Sequence, residues 1–196
     1  MFKKFLAVIS ITLAFLMTSC GGSNEKLLLG GWYSEMSFPI PADKNGMAGE
    51  IKMRGIQSYL ANKATSFDGQ MILVFHYPQG QNPFNKLEIA YDANITGDWE
   101  IKDKSIFTKI VDLKFHPAEV KIDDQLIDND DQKNTFFAEM EKSFKPEDFI
   151  PKGTADEEKI VSIDATTLVT EIKDPSGKWA RQTATKTEKS FSEYVK

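Results

Sequence analysis

Three residue types are scarce in this sequence, and their scarcity excludes whole classes of chemistry. The 196 residues contain one cysteine, Cys20, two histidines, His76 and His116, and two arginines, Arg54 and Arg181. A three-histidine zinc site is excluded by that count. Both histidines lie at predicted strand ends, where exposed edge residues are the simpler interpretation than metal ligands. We predict no metal site and no cofactor.

Excess positive charge is also missing, which bears on the kind of partner the chain accepts. Residues 21–196 hold all 29 acidic residues but 22 of the 24 basic ones, because Lys3 and Lys4 lie before them, so their net charge is 22 − 29 = −7. A surface that binds nucleic-acid phosphates needs a basic stripe. We therefore predict no nucleic-acid partner.

Long apolar runs and catalytic motifs are absent after the first twenty residues. No second segment is long enough to cross a bilayer, which takes about 20 apolar residues. No G-x-S-x-G elbow accompanies the histidines, and carboxylate pairs cannot be assigned from sequence spacing alone. We predict a non-catalytic protein with one domain's worth of chain.

The first twenty residues have the organisation of a secretory leader. Lys3 and Lys4 form a positively charged start, and an uncharged run from Phe5 to Met17 follows. Thirteen residues are too few to span a hydrocarbon core of about 30 Å. We predict that residues 1–19 are a signal peptide that is removed.

The end of this leader resembles the lipobox of bacterial lipoproteins. The residues that carry the resemblance are Met17-Thr18-Ser19-Cys20, and it implies that Cys20 is acylated, which would also leave no thiol for cysteine–histidine catalysis. Residues 20–26 would then be the lipidated cysteine and a flexible tether. The implied location is the bacterial cell envelope, with a membrane reached through the N-terminal lipid. Gly21 after the cysteine favours the outer membrane over the inner one.

Alternation of apolar and polar residues is the strongest structural pattern in the rest of the chain. Leu87, Ile89 and Tyr91 alternate with charged residues, as do the residues of 98–102, 107–116 and 168–173. This period is typical of antiparallel strands with one buried face. The fold class predicted is mainly β, an up-and-down meander that closes into a barrel or a sandwich over residues 27–188, with a C-terminal tail at 189–196.

Turn residues punctuate these strands. We predict reversals at Asp68-Gly69, Asn94–Gly97, Asp103-Lys104 and Asp174–Gly177, the last as a type I turn.

One segment has helical spacing instead. Phe136, Phe137, Met140 and Phe144 predict a short helix over 135–145, capped by Asn134 and ended by Pro146. The acidic residues before it could form a calcium loop, with ligands Asp128, Asp130, Gln132 and Glu139. No glycine occupies the turn position of such a loop, so we favour a solvated acidic loop.

Two short motifs near the ends of the domain resemble those of lipocalins. Gly30-Gly31-Trp32 is similar to the G-x-W opening, and Trp179-Ala180-Arg181 lies where a lipocalin places its last-strand arginine. The chain as a whole resembles the small lipocalin-like lipoproteins of Bacteroidota. The resemblance implies that Arg181 stacks on Trp32 and closes one barrel end, where cation-π stacking is worth about 1 to 2 kcal/mol.

Two functions remain open at this stage. A lipocalin-like barrel would bind a small apolar ligand inside, and our candidate pocket residues are Tyr91, Trp99, Phe107 and Phe115. Alternatively, the barrel is filled by side chains and the protein is an interaction subunit of an envelope or cell-surface complex. A continuous apolar cavity favours the first function, and a packed interior with an exposed apolar patch favours the second.

Overall fold

The computed structural model describes residues 20–40, 42, 46–80, 82–143, 145–150, 152–153, 155–174 and 177–194. The predicted signal peptide, residues 1–19, lies outside the described residues, as does Phe144. No helix within the described ranges is long and apolar enough to cross a bilayer.

The described chain is mostly strand, with helices at its start and in its second half. The elements in chain order are α1 (Cys20–Leu28), β1 (Gly30–Ile40), β2 (Ala48–Tyr59), β3 (Ala64–His76), β4 (Lys86–Lys102), β5 (Ser105–Ile122), β6 (Gln125–Leu126), α2 (Asp130–Ser143), a 3₁₀ turn (Pro146–Phe149), β7 (Ala155–Ile163), β8 (Thr167–Lys173), β9 (Trp179–Thr187) and a second 3₁₀ turn (Phe191–Glu193).

All the strands form one antiparallel sheet that closes on itself. Each long strand pairs with the next along the chain, β9 returns to pair with β1, and β4 pairs with β5, so eight strands make a ring and β6 is a short addition on β5. The predicted mainly β, antiparallel meander is therefore confirmed.

The ring is complete at one end and incomplete at the other. Among the described residues, the β5–β7 ladder covers 105–109 and the β9–β1 ladder covers residues 31–34 of β1. Strands β1 to β5 continue well beyond both ladders. We call the end with all eight strands paired the closed half, and the five-stranded extension, residues 35–56, 69–95 and 110–122, the open half.

Small residues on the inner face separate the two halves. Gly55 and Gly69 pair across β2 and β3, and Ala93 follows on β4. The Phe67 ring lies over both glycines, since a Cβ added to either would come within 2.6 Å of its Cζ atom. A Cβ on Gly69 would also lie 2.3 Å from the Arg54 carbonyl oxygen. The interior therefore holds two apolar clusters instead of one.

The closed half is packed with aromatic side chains. Trp32 is 1% exposed, and Tyr59 meets Trp99 edge to face with ring centroids 5.5 Å apart. The indole N–H of Trp99 donates to the Leu60 carbonyl at 3.0 Å. Each buried aromatic therefore keeps its apolar area from water, and Trp99 also satisfies its polar atom, as stable burial of an indole requires.

Helix α1 caps this half and differs from the flexible tether predicted for residues 20–26. Leu28 is fully buried in the closed-half cluster, and its carbonyl accepts a 2.7 Å hydrogen bond from the Trp32 indole N–H. Glu25 forms an ion pair with Lys63 on the β2–β3 turn. The apolar residues that follow the glycines supply burial energy that composition alone did not indicate.

The predicted tail, 189–196, is partly packed onto the ring. Phe191 is 6% exposed, and Tyr194 stacks on Tyr33 with centroids 4.2 Å apart. Ser190 and Glu193 form a capping box on the short 3₁₀ turn between them.

Helix α2 confirms the predicted helix but begins one turn earlier. The Asn129 side-chain oxygen accepts from the Gln132 backbone N–H at 2.9 Å, so Asn129 is the cap and the prediction of Asn134 was wrong. Asp130 and Asp131 occupy the first turn, where acidic side chains stabilise the helix dipole. Their polarity hid this turn from the apolar periodicity.

Two of the predicted reversals lie inside strands. Asp68-Gly69 and Asn94–Gly97 continue β3 and β4, and the chain reverses instead at residues 60–63. Asp103-Lys104 is a turn, as predicted. Asp174 and Gly177 connect β8 and β9 through a 2.8 Å hydrogen bond from the Gly177 N–H, whereas residues 175 and 176 lie outside the described chain, so the predicted turn type stays a prediction.

Candidate functional site

A cleft of about 600 Å³ opens in the open half, between α2 and the inner face of β4 and β5. This volume lies within the range of small-molecule sites, which is about 300 to 1,000 Å³. The residues that line it are Tyr91, Phe115, Pro117, Ala138, Glu141, Lys142, Lys145, Pro146 and Glu147.

The floor of the cleft depends on an irregularity in β5. Tyr91 pairs with Pro117 and Ala90 pairs with Glu119, so Ala118 is an extra residue. A bulge of this kind bends a strand and redirects its side chains. Pro117 has no N–H to donate, which is tolerated because β5 is an edge of the sheet here. The result is an apolar floor formed by Tyr91, Phe115 and Pro117.

The roof is helix α2, held by one buried aromatic residue. Phe137 is 4% exposed and packs with the open-half cluster, and its ring meets that of Tyr91 edge to face at 5.4 Å. Ala138, next along the helix, borders the cleft with a small side chain. The helix therefore covers the open half without filling the space beside Tyr91.

The Tyr91 hydroxyl is the most informative atom in the cleft. Tyr91 is 2% exposed, and its Oη atom is buried without a hydrogen-bond partner within the described part of the chain. Burial, followed by the charges of Glu141 and Glu147, raises the pKa of Tyr91 to about 12, so the hydroxyl keeps its proton. An unsatisfied buried hydroxyl costs about 1 to 3 kcal/mol, which a bound ligand would recover.

Charged side chains surround the mouth of the cleft. Glu141, Lys142, Lys145 and Glu147 contribute both signs. Lys142 is paired with Glu139 at 2.5 Å, and both side chains are about two-thirds exposed. Exposed pairs contribute little to stability, so these groups are free to accommodate a polar part of a ligand.

Two of the four pocket residues predicted from the sequence line this cleft and two do not. Tyr91 and Phe115 line it, whereas Trp99 is buried in the closed half beneath the Lys63 ammonium, 4.3 Å from its ring. Phe107 lies on the opposite face of β5 from the fully buried Ile106, with Lys102 5.7 Å from its ring.

A second bulge in β5 explains the error at Phe107. Thr96 pairs with Asp112 and Gly97 pairs with Ile110, so Val111 is an extra residue in β5. Its side chain is 57% exposed. Each extra residue exchanges the two faces of a strand. Phe107 and Phe115 share a face in the uninterrupted alternation, but the bulge places them on opposite faces.

The predicted contact between Trp32 and Arg181 is replaced by another cation. Trp32 pairs with Lys186, whose ammonium lies 4.2 Å from the indole ring centre. Arg181 pairs with Glu171 and is exposed. It lies five residues from Lys186, about 16 Å along the strand and on the other face. The prediction that Arg181 contacts Trp32 was therefore wrong, and Lys186 is the residue of the last strand that lies over this tryptophan.

Lys186 also holds helix α1. Its ammonium donates to the carbonyl oxygen of Leu27 at 3.0 Å and to that of Leu29, at the C-terminal end of the helix. A cation is favoured at this end by the helix dipole. Burial lowers the pKa of Lys186, because it removes the charged ammonium from water.

The acidic residues before α2 have structural partners. The Asp123 carboxylate accepts from the backbone N–H groups of Asn85 and Lys86, both at 2.9 Å, and Asp130 pairs with Lys133. Searching the described residues finds no group of three or more histidine, cysteine or acidic side chains arranged to hold a metal ion.

A second, smaller cavity of about 50 Å³ lies in the closed half. It holds one acidic side chain, Glu158, among Tyr59, Gln57, Gln182 and Thr170. Burial raises the pKa of Glu158 to about 7, partly opposed by a hydrogen bond from Thr170. The space suits a few water molecules, which need roughly 10 to 15 Å³ each.

Sequence reasoning missed Glu158 and Lys186. Both follow the alternation of their strands: Glu158 shares a face with Ile160, and Lys186 shares one with Ala184. A charged residue at an inward position of an alternating strand was therefore the available signal. Cys20, predicted to be lipidated, is the first residue of α1.

No protein-family model matches this chain, and no curated protein matches it.

Proposed function

We propose that the protein is a lipid-anchored, non-catalytic protein of the bacterial cell envelope, with a lipocalin-like barrel that binds a small, mostly apolar molecule. The ligand occupies the cleft of the open half. Cys20 carries the lipid, in keeping with the lipobox-like residues before it. The outer membrane is the favoured location.

The observation that carries this proposal is the buried Tyr91 hydroxyl beside a cleft of about 600 Å³. None of the described residues gives that hydroxyl a hydrogen-bond partner, although buried polar groups are nearly always hydrogen-bonded. A molecule with an apolar body and one polar group would pack against Phe115 and Pro117, and a shift of the side chains that cover Tyr91 Oη would let the polar group bond to that atom. The charged mouth would remain in contact with water.

The alternative function, an interaction subunit of an envelope complex, is supported by a different surface. Trp179 and Val161 are exposed large apolar side chains at 36% and 42%. Lys159 and Lys173 lie 3.9 and 5.1 Å from the Trp179 ring. Tryptophan and cationic side chains are common in binding surfaces.

Native mass spectrometry of the protein purified from its host separates these functions. The ligand-binding function predicts a retained molecule of a few hundred daltons that is absent from an Ala138→Trp variant, whose added ring occupies the cleft. Ala61→Trp, at an exposed turn of the closed half, is the matched control and should retain the molecule. A protein that purifies without a small molecule but together with a second polypeptide would contradict ligand binding and support the interaction subunit.

A further inference from the structure

Helix α1 is fixed to one end of the molecule, and this restricts where a lipid on Cys20 can lie. The helix is fastened by the Glu25–Lys63 ion pair and by Lys186 at its C-terminal end. Cys20 is five residues before Glu25, which is about 7.5 Å along a helix axis. The backbone of Cys20 therefore lies at the same end of the molecule as the β2–β3 turn, residues 60–63.

The surface around this point contains groups compatible with a lipid headgroup layer. Leu60, in the same turn, is a large apolar residue that is 47% exposed. Lys26, Lys102 and Lys104 are exposed nearby, and a lysine near an anionic bilayer contributes about 1 kcal/mol. Acidic side chains such as Glu100, paired with Lys102, keep the local charge close to balanced.

The opposite end of the molecule is negatively charged, which disfavours contact with a lipid headgroup layer. The segment 119–131, which includes the β5–β6 turn and the start of α2, contains six acidic residues and one lysine. Its acidic members are Glu119, Asp123, Asp124, Asp128, Asp130 and Asp131. Anionic lipids would repel this end within a Debye length of about 8 Å.

From the attachment point and this difference in charge, we propose that the closed end, formed by α1 and the turns at 60–63 and 103–104, rests on the lipid bilayer. The cleft then faces away from the membrane. Tyr91 lies eight residues from Trp99 on β4, a separation of about 26 Å along the strand. A ligand therefore enters from the aqueous side, not laterally from the bilayer. This inference rests on the lipid anchor of the proposed function.

Single-cysteine labelling of the lipidated full chain tests this orientation. In the acylated protein the thiol of Cys20 is blocked, so a new cysteine is the only site for an environment-sensitive fluorophore. Ala61→Cys places the label in an exposed turn at the closed end, and Gln125→Cys places it at the exposed first residue of β6, at the acidic end. Each labelled protein is bound to anionic vesicles that carry a nitroxide quencher at the headgroup.

We expect several-fold stronger quenching at residue 61 than at residue 125. Equal quenching at the two positions, or stronger quenching at residue 125, would overturn the proposed orientation. A protein that fails to sediment with the vesicles would instead remove the lipid anchor itself. Ligand binding in the cleft is measured separately, so its failure is distinguishable from both outcomes.

Discussion

The closed and open halves are built from the same strands but close their interiors differently. In the closed half, eight strands pair around Trp32, Tyr59 and Trp99, and the remaining cavity is about 50 Å³. In the open half, five strands leave a gap that α2 covers, and a cleft of about 600 Å³ remains. Both halves therefore contain a packed apolar cluster, but the larger empty space lies in the open half.

The largest effect should come from removing the central side chain of the closed half. Trp32→Ala deletes a fully buried ring and the cation contact with Lys186, so we expect a loss of about 3 to 5 kcal/mol in the free energy of unfolding. Trp179→Ala, at the exposed tryptophan, should cost less than about 1 kcal/mol. Urea denaturation of both variants makes the comparison, and equal losses would contradict the buried position of Trp32.

The glycine pair at the boundary between the halves should not tolerate a larger residue. Gly69→Ala places a Cβ 2.3 Å from the Arg54 carbonyl oxygen and against the Phe67 ring, so we expect a loss of about 3 kcal/mol. Ser66→Ala on the same strand is the control and should stay close to wild type. A stable Gly69→Ala protein with unchanged thermal unfolding would show that the strands are less closely apposed here.

Glu158 should make the closed half sensitive to pH. Its pKa is raised from 4.5 in a free side chain to about 7 in the folded protein, so the folded state keeps a proton that the unfolded state releases. The contribution of Glu158 to stability should be fully present below pH 4.5 and be lost as the pH rises through 7, by at most about 3 kcal/mol. Glu158→Gln should remove this fall. Thermal unfolding of both proteins between pH 4 and pH 8 measures it, and parallel curves would contradict the assignment.

The smallest effect on stability should come from the hydroxyl in the cleft. Tyr91→Phe removes a buried polar atom that has no described partner, so the free protein should gain about 1 kcal/mol. Binding of a ligand with a polar group should weaken at the same time. Tyr33→Phe is the control, because the Tyr33 hydroxyl bonds to Glu35. A destabilised Tyr91→Phe protein would mean that the hydroxyl is already satisfied.

The alternation of apolar and polar residues predicted the strands well, but it did not predict which side chains face inward. Alternation around Leu87 and Ile89 identified β4, and one of the two aromatics predicted on β5, Phe115, lies in the cleft. The bulges at Val111 and Ala118 could not be predicted, because an extra residue leaves no compositional mark. Lys186 was missed for another reason: its partners, Trp32 and the carbonyls of α1, come from the far end of the chain.

Titration with a neutral fluorescent apolar probe, N-phenyl-1-naphthylamine, tests the central claim that the open half binds ligands and the closed half does not. We expect the wild-type protein and Ala61→Trp to bind the probe with equal affinity, and Ala138→Trp to bind at least tenfold more weakly, about 1.4 kcal/mol. Equal binding by all three proteins, or a loss confined to Ala61→Trp, would contradict the account.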